Sequence, residues 1–294
     1  MYYTMTNGQI MVAVTVKGAE LLSMVNHEAG NKEYIWVGNE KYWDGHGPSL
    51  FPIVGRVKNG KYMYKGKEYS IMSPHGFVWV SDLNLIEHSD NSMTFNIKSS
   101  METKKSYPFD FDYKIKYSIE GKKLRIDYTI TNTSETETMI FALGAHPGFN
   151  VPLCDGEKFD DYYLEFGEAC KPNEVLCEKA FLLGKTKPYQ LVDDKILPLH
   201  HNLFDNDAIL LQDCSRKITL RSKTGPHGAT VNFPDFKYVG IWHTNETDAP
   251  FICIEPWNGV PSLLDAAEDL ETKHDMMRLE PQGVYKVGYD IEIF

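Results

Sequence analysis

The chain predicts an all-β, antiparallel fold, and three observations carry that prediction. Apolar and polar residues alternate with a period of two through most of its length, the pattern of strands with one buried face. Short Gly-containing turns join such runs into hairpins. Helical spacing is scarce and confined to one stretch near the C-terminus.

In chain order, Ile10–Val16 reads as a strand, and "KYMYKGKEYSI" as a hairpin turning at Lys65-Gly66-Lys67. Thr94–Lys98 reads as a further strand. The clearest pair lies in "YKIKYSIEGKKLRIDYTI". There Tyr113, Ile115, Tyr117 and Ile119 alternate with polar residues before Glu120-Gly121, and Leu124, Ile126, Tyr128 and Ile130 do so after it. Single strands follow at Lys217–Ser222, Tyr238–His243 and Phe251–Glu255, and Tyr285, Val287, Tyr289, Ile291 and Ile293 alternate to the end. One helix is expected over 261–276, with Ser262 as its cap, Asp265 three residues on, and apolar positions at 263, 264, 267 and 270. No Pro/Gly/Ser-rich linker, low-complexity tract or fixed-period repeat divides the chain, so residues 1–294 are expected to form one domain.

A formal net charge of −11 argues against a nucleic-acid or anionic-membrane partner. The N-terminus has no basic segment before an apolar core, and no stretch reaches the roughly 20 apolar residues of a membrane span. The five cysteines are odd in number and fit neither a zinc nor a redox spacing. They read as free thiols in a reducing compartment, and the expected location is cytoplasmic.

Walker loops, G-x-G-x-x-G, G-x-S-x-G and H-E-x-x-H are all absent. His200-His201 is a poor chelator, because neighbours on a strand point to opposite faces. No metal and no cofactor are therefore expected. Three polar islands remain. Arg56 follows Gly55 after an otherwise apolar run in "SLFPIVGR", as a salt-bridged strand end or as a donor fork for sugar or carboxylate oxygens. His75 stands between Pro74 and Gly76. Glu255 closes the apolar strand of "FICIEPWNG" and must be hydrogen-bonded or raise its pKa. The neighbouring Trp257 is either core or a flat platform against the apolar face of a ring.

"FALGAHPGFN" repeats the same grammar. His146 ends an apolar strand, Pro147 disfavours helix at His146, and Gly148 allows a close turn or a close ligand. Phe149 reads equally as pocket wall or as core. One glutamate and two histidines suit proton transfer near neutral pH, each positioned group contributing about 10²–10⁴-fold.

"GRVKNGKY", "HGF", "GAHPGFN" and "EPW", in this order, are similar to the aldose 1-epimerases, or galactose-mutarotase-like proteins, over nearly the whole chain. "LFDNDA" and "IWH…CIEPW" resemble the bacterial branch associated with lactose operons. The resemblance implies a β-supersandwich of large antiparallel sheets with very little helix, and a sugar held in a cleft on one face. It implies that His146 is the general acid for the ring oxygen and that Glu255 is the base for the anomeric hydroxyl. His75 and Arg56 then hold sugar hydroxyls and help stabilise the open form. A substrate-binding aspartate falls in "LFDNDAILL", where Asp205 and Asp207 both fit. Asp207 is favoured because it leads directly into the apolar run Ala208–Leu211.

Relatives that act on hexose 6-phosphates tend to carry an arginine after "HGF", where Val78 and Trp79 stand here. The implied partner is thus an unphosphorylated aldohexose. Competing readings are a hexose-6-phosphate epimerase, a non-catalytic sugar binder, and a glycosidase that would need a second carboxylate, such as Asp207, near Glu255.

Overall fold

Strict alternation in Phe111–Glu120 and Lys123–Asn132 makes these two strands the centre of a nine-stranded antiparallel sheet in the computed structural model, which describes residues 1–294. Their register pairs apolar with apolar: Tyr113 with Ile130, Ile115 with Tyr128, Tyr117 with Ile126 and Ile119 with Leu124. Gly121, at φ 58°, makes the tight turn between them. The C-terminal strand Val284–Ile293 pairs with Lys123–Asn132. Lys217–Ser222 and Gly228–Asn232 extend the sheet on that side, and Ser92–Lys98 extends it on the other.

The second large sheet has eight strands, all its pairs antiparallel. At its centre Tyr238–Trp242 pairs with Phe251–Asn258. Across Phe251–Asn258 lie two short segments, Leu143–Ala145 and Gly148–Asn150. Ile252 and Ile254 join Val239, Ile241 and the inner residues of the nine-stranded sheet in one core of 64 buried residues. Phe251, Cys253, Glu255 and Trp257 point to the opposite face, as period two requires. That face is also covered, by a shell of loops, so the strand reads as a continuous apolar run rather than an alternation.

A four-stranded sheet containing Ile10–Thr15 and the hairpin Lys61–Tyr64/Lys67–Ser70 complete the framework. Lys65 and Gly66 turn that hairpin at φ 48° and 74°, the pair of left-handed positions a two-residue turn needs. Lys217–Ser222, Tyr238–Trp242 and Phe251–Asn258 lie where the periodicity places them, the last running on through Trp257.

The helix expected over 261–276 does not form. Its backbone bonds outward instead of along itself. Ser262 N–H donates to Arg56 O, Leu264 N–H to Leu182 O, and Leu270 N–H to Met63 O. Leu182 and Met63 N–H donate back, to Ser262 O and Glu268 O. The Ser262 hydroxyl donates to Glu268 rather than capping a helix. Neighbouring strands satisfy these peptide groups, and a segment of modest helix propensity follows them. The one α-helix is the four-residue turn Thr103–Ser106. No helix is long and apolar enough to cross a membrane.

Candidate active site

The break between Leu143–Ala145 and Gly148–Asn150 places the first functional side chain. Gly144 pairs with Trp257 before the break, and Gly148 pairs with Cys253 after it. The register is the same on both sides, so His146 stands directly opposite Glu255. Pro147 has no N–H to offer, and its carbonyl accepts from Ile254 N–H. His146 Nε2 lies 3.2 Å from Glu255 Oε2. On its other side Glu255 faces Gly240, where a Cβ would come within 3.4 Å of the Glu255 Cβ. Gly144 likewise leaves the slot for the Trp257 indole, since a Cβ there would lie 2.7 Å from Trp257 Cδ1.

This pair forms the floor of a cavity of about 400 Å³. Arg56, His75, Asp207 and Trp257 line it, together with Trp43, Trp79, Trp242 and Asn245. Glu255 is only 1% exposed. Burial, reinforced by the nearby Asp207 charge, pushes its pKa well above 4.5, with the Trp257 indole acting in the opposite direction. Burial, then repulsion by His75, holds His146 well below 6.5. Three buried polar atoms here have no hydrogen-bond partner in the protein: His146 Nδ1, Glu255 Oε2 and Trp257 Nε1.

His75 is brought in by a strained turn. Its φ is 61°, and at Gly76 (φ 82°) a Cβ would meet the Phe51 carbonyl oxygen at 2.3 Å. Gly55 N–H donates to His75 Nδ1 at 3.1 Å, which leaves the proton of the neutral ring on Nε2. Burial and the Arg56 charge lower the His75 pKa to about 4, so near pH 7 the ring is a neutral donor. Its ring centre is 5.5 Å from that of His146. Asp207 also holds a left-handed backbone, at φ 83°, and accepts from Ala208 N–H at 2.8 Å. Asp205 is exposed and is not among the lining residues.

Phe149 is no part of the wall. It is fully buried in the main core, because the pleat turns it away from His146. Sequence reasoning missed Trp43, which packs against His146 with ring centres 4.8 Å apart and planes tilted by 34°, and Trp242, edge-on to His146 at 5.5 Å. Neither carries the strand–polar–Pro/Gly signature. An aromatic in the loop "KYWDGHG" was the only available hint of Trp43.

A carboxyl and an imidazole thus stand side by side at the floor of a tryptophan-lined cleft on an antiparallel sheet, a pair of groups able to exchange a proton with a bound molecule. The family model described as aldose 1-epimerase matches residues 1–276, and the chain belongs to that family. It is 35% identical, over 98% of its length and 97% of the relative's, to the LacX protein (plasmid form) of Lactococcus lactis subsp. lactis. A solved galactose mutarotase related enzyme from Lactobacillus acidophilus is 34% identical, with a TM-score of 0.95 over 100% of this chain and 97% of that one. A galactose mutarotase-like protein from Lactobacillus casei is 32% identical, with a TM-score of 0.93 over 100% of both chains.

Proposed function

We propose that the protein is an aldose 1-epimerase that interconverts the α and β anomers of an unphosphorylated hexose, without a cofactor. One observation carries the reading. His146 and Glu255 meet at 3.2 Å on the cavity floor while His146 Nδ1, Glu255 Oε2 and Trp257 Nε1 lack partners, so the floor is built to bond something that enters.

In this reading His146 protonates the ring oxygen and Glu255 takes the anomeric hydroxyl proton. The C1–O5 bond breaks, the aldehyde forms and C1–C2 rotates. Reclosure on the other face returns both protons along the same route. Burial lowers the imidazole pKa and raises the carboxyl pKa, so at rest the shared proton sits on Glu255; once it passes to His146, the imidazolium is a stronger acid and the carboxylate a stronger base than either is in water. In its place, His75 Nε2–H donates to a sugar oxygen, Arg56 steadies charge on the open form, and Asp207 accepts from a hydroxyl. Trp257 offers its N–H and its flat face. Arg56 is the one lysine or arginine of the lining, which favours a neutral sugar over a hexose 6-phosphate. A cytoplasmic setting belongs to the same reading and fits five cysteines held as free thiols.

The test is anomer exchange from α-galactose and α-glucose, followed by polarimetry with the buffer rate subtracted. A clear enzyme-dependent rate is expected, with no release of nitrophenol from a nitrophenyl glycoside. Exchange no faster than buffer with both sugars and with their 6-phosphates would leave sugar binding without catalysis.

A further inference from the structure

Cys253 precedes Glu255 by two residues on one strand, so both side chains point to the same face. His146 meets that face from the neighbouring segment. Ligand atoms of His146, Cys253 and Glu255 all lie within 4.8 Å of one another, and all three residues are buried. Proton transfer to a sugar uses two of them and leaves Cys253 without a task.

Imidazole, thiolate and carboxylate are the donors zinc takes, at about 2.0–2.2 Å for nitrogen and oxygen and about 2.3 Å for sulfur. Two such ligands on a tetrahedral ion stand roughly 3.3 Å apart. His146 Nε2 and Glu255 Oε2 already stand 3.2 Å apart. The sulfur has to close by about 1 Å, which is within the reach of small side-chain adjustments. Glu255 Oε2, in a residue 1% exposed, has no hydrogen-bond partner and so has lone pairs to offer. The cavity reaches His146 and Glu255, which gives an entry path and an open fourth position.

We infer that His146, Cys253 and Glu255 form an inhibitory site for Zn²⁺. On binding, the Cys253 S–H bond breaks, a sulfur–zinc bond forms and the proton leaves to solvent; no oxidant or reductant takes part. The imidazole and carboxylate lone pairs needed for the sugar's protons are then held in metal bonds, and anomer exchange stops. Hard cations such as Mg²⁺ and Ca²⁺ prefer all-oxygen shells and leave the site alone. The inhibition rests on the epimerase reading; the metal binding does not.

The experiment titrates the full chain, first stripped with a chelator, with Zn²⁺ by calorimetry and with Co²⁺ as a coloured stand-in. One ion per chain, a thiolate-to-cobalt charge-transfer band and release of a proton are expected. Cys253→Ser and Cys253→Ala are each expected to lose the band and at least about tenfold in Zn²⁺ affinity, while keeping their anomer exchange in chelator within about twofold of wild type. Alanine guards against a buried hydroxyl spoiling the fold. A wild type that binds no ion, or cysteine variants that bind Zn²⁺ unchanged, would overturn the site. Zinc bound through Cys253 with exchange still running would overturn the inhibitory role. If the chain exchanges no anomers at all, the epimerase reading fails, and the cobalt band still decides the metal site.

Discussion

Two buried histidine centres border the same sheet. His243, next after Tyr238–Trp242, donates from Nδ1 to the Thr244 carbonyl at 2.8 Å, and its Nε2 lies 3.1 Å from His201 Nδ1. Phe159 and Phe204 pack against its ring. Both nitrogens are bonded and nothing is left over. His146 is about as deeply set, yet its Nδ1 has no partner, and neither has Glu255 Oε2 beside it. A buried polar group costs free energy unless it is paired, and that cost persists in a native structure where something else supplies the bond. The difference teaches that burial alone does not mark a histidine for chemistry; under the proposed function, the one whose ring nitrogen the protein leaves unbonded is the one that works.

The sharpest way to break this contrast is Glu255→Gln, which keeps the shape and removes the base. Anomer exchange is expected to fall by about 10²–10⁴-fold in polarimetry with α-galactose. A rate still within tenfold of wild type would place Glu255 with the structural groups.

A second test is the pH profile. The pair works while it holds one proton between its two members. The lowered imidazole pKa means that a second proton arrives only well below pH 6.5, and the raised carboxyl pKa means that the last one leaves well above pH 4.5. Activity is therefore expected to stay level between these limits and to fall about tenfold per unit outside them. A single step near 6.5 in the buffer-corrected kcat/KM profile would point to an ordinary, unpaired histidine.

Asp207→Asn should raise KM about tenfold, the usual loss for one charged hydrogen bond, whereas Asp205→Asn should leave KM unchanged. Equal effects from the two would remove the distinction that the cavity lining draws.

His243→Ala probes the satisfied centre. It should cost about 1–3 kcal/mol in denaturant unfolding, since His201 loses its partner and Phe159 and Phe204 lose a packed ring, with the rate per folded molecule held within about twofold. A large loss of rate at unchanged stability would reverse the two assignments. The smallest effect expected is a stability gain from Glu255→Gln. A carboxyl whose folded pKa is raised contributes stability that is fully present below pH 4.5 and is lost as pH rises through the folded value. The amide has no charge to bury, so the variant should melt a few degrees above wild type at alkaline pH and lose that lead toward pH 4. A lead that does not shrink on acidification would separate the gain from ionisation.

Much of the molecule was legible because its causes are local. Period-two alternation reports one buried face, and Tyr113 to Ile130 pair as the pattern demands. Polar residues at the ends of apolar strands, followed by Pro or Gly, are unusual enough to mark His146, His75, Arg56 and Glu255, and all four line one cavity. Trp43, Trp242 and Asn245 carry no such mark, because an aromatic at a strand end, or an aromatic or amide in a loop, looks alike whether it faces solvent or a ligand. Phe149, open between wall and core in the sequence, lies in the core, because the sense of the pleat decides it.

What the sequence by itself determined, then, is the strand content, the hairpin registers and the residue types able to move a proton. Tertiary structure alone decided which of them meet. Residues 261–276 carry a passable helical spacing, yet their peptide groups bond to Arg56, Met63 and Leu182, and those partners exist only once the sheets are assembled. His146 and Glu255 stand far apart in the chain. Only the shared register on both sides of the Pro147 break puts them 3.2 Å apart, and only the fold excludes enough water to push their pKa values in opposite directions. Alternation follows from the geometry of one strand, whereas a site needs several strands held in one register.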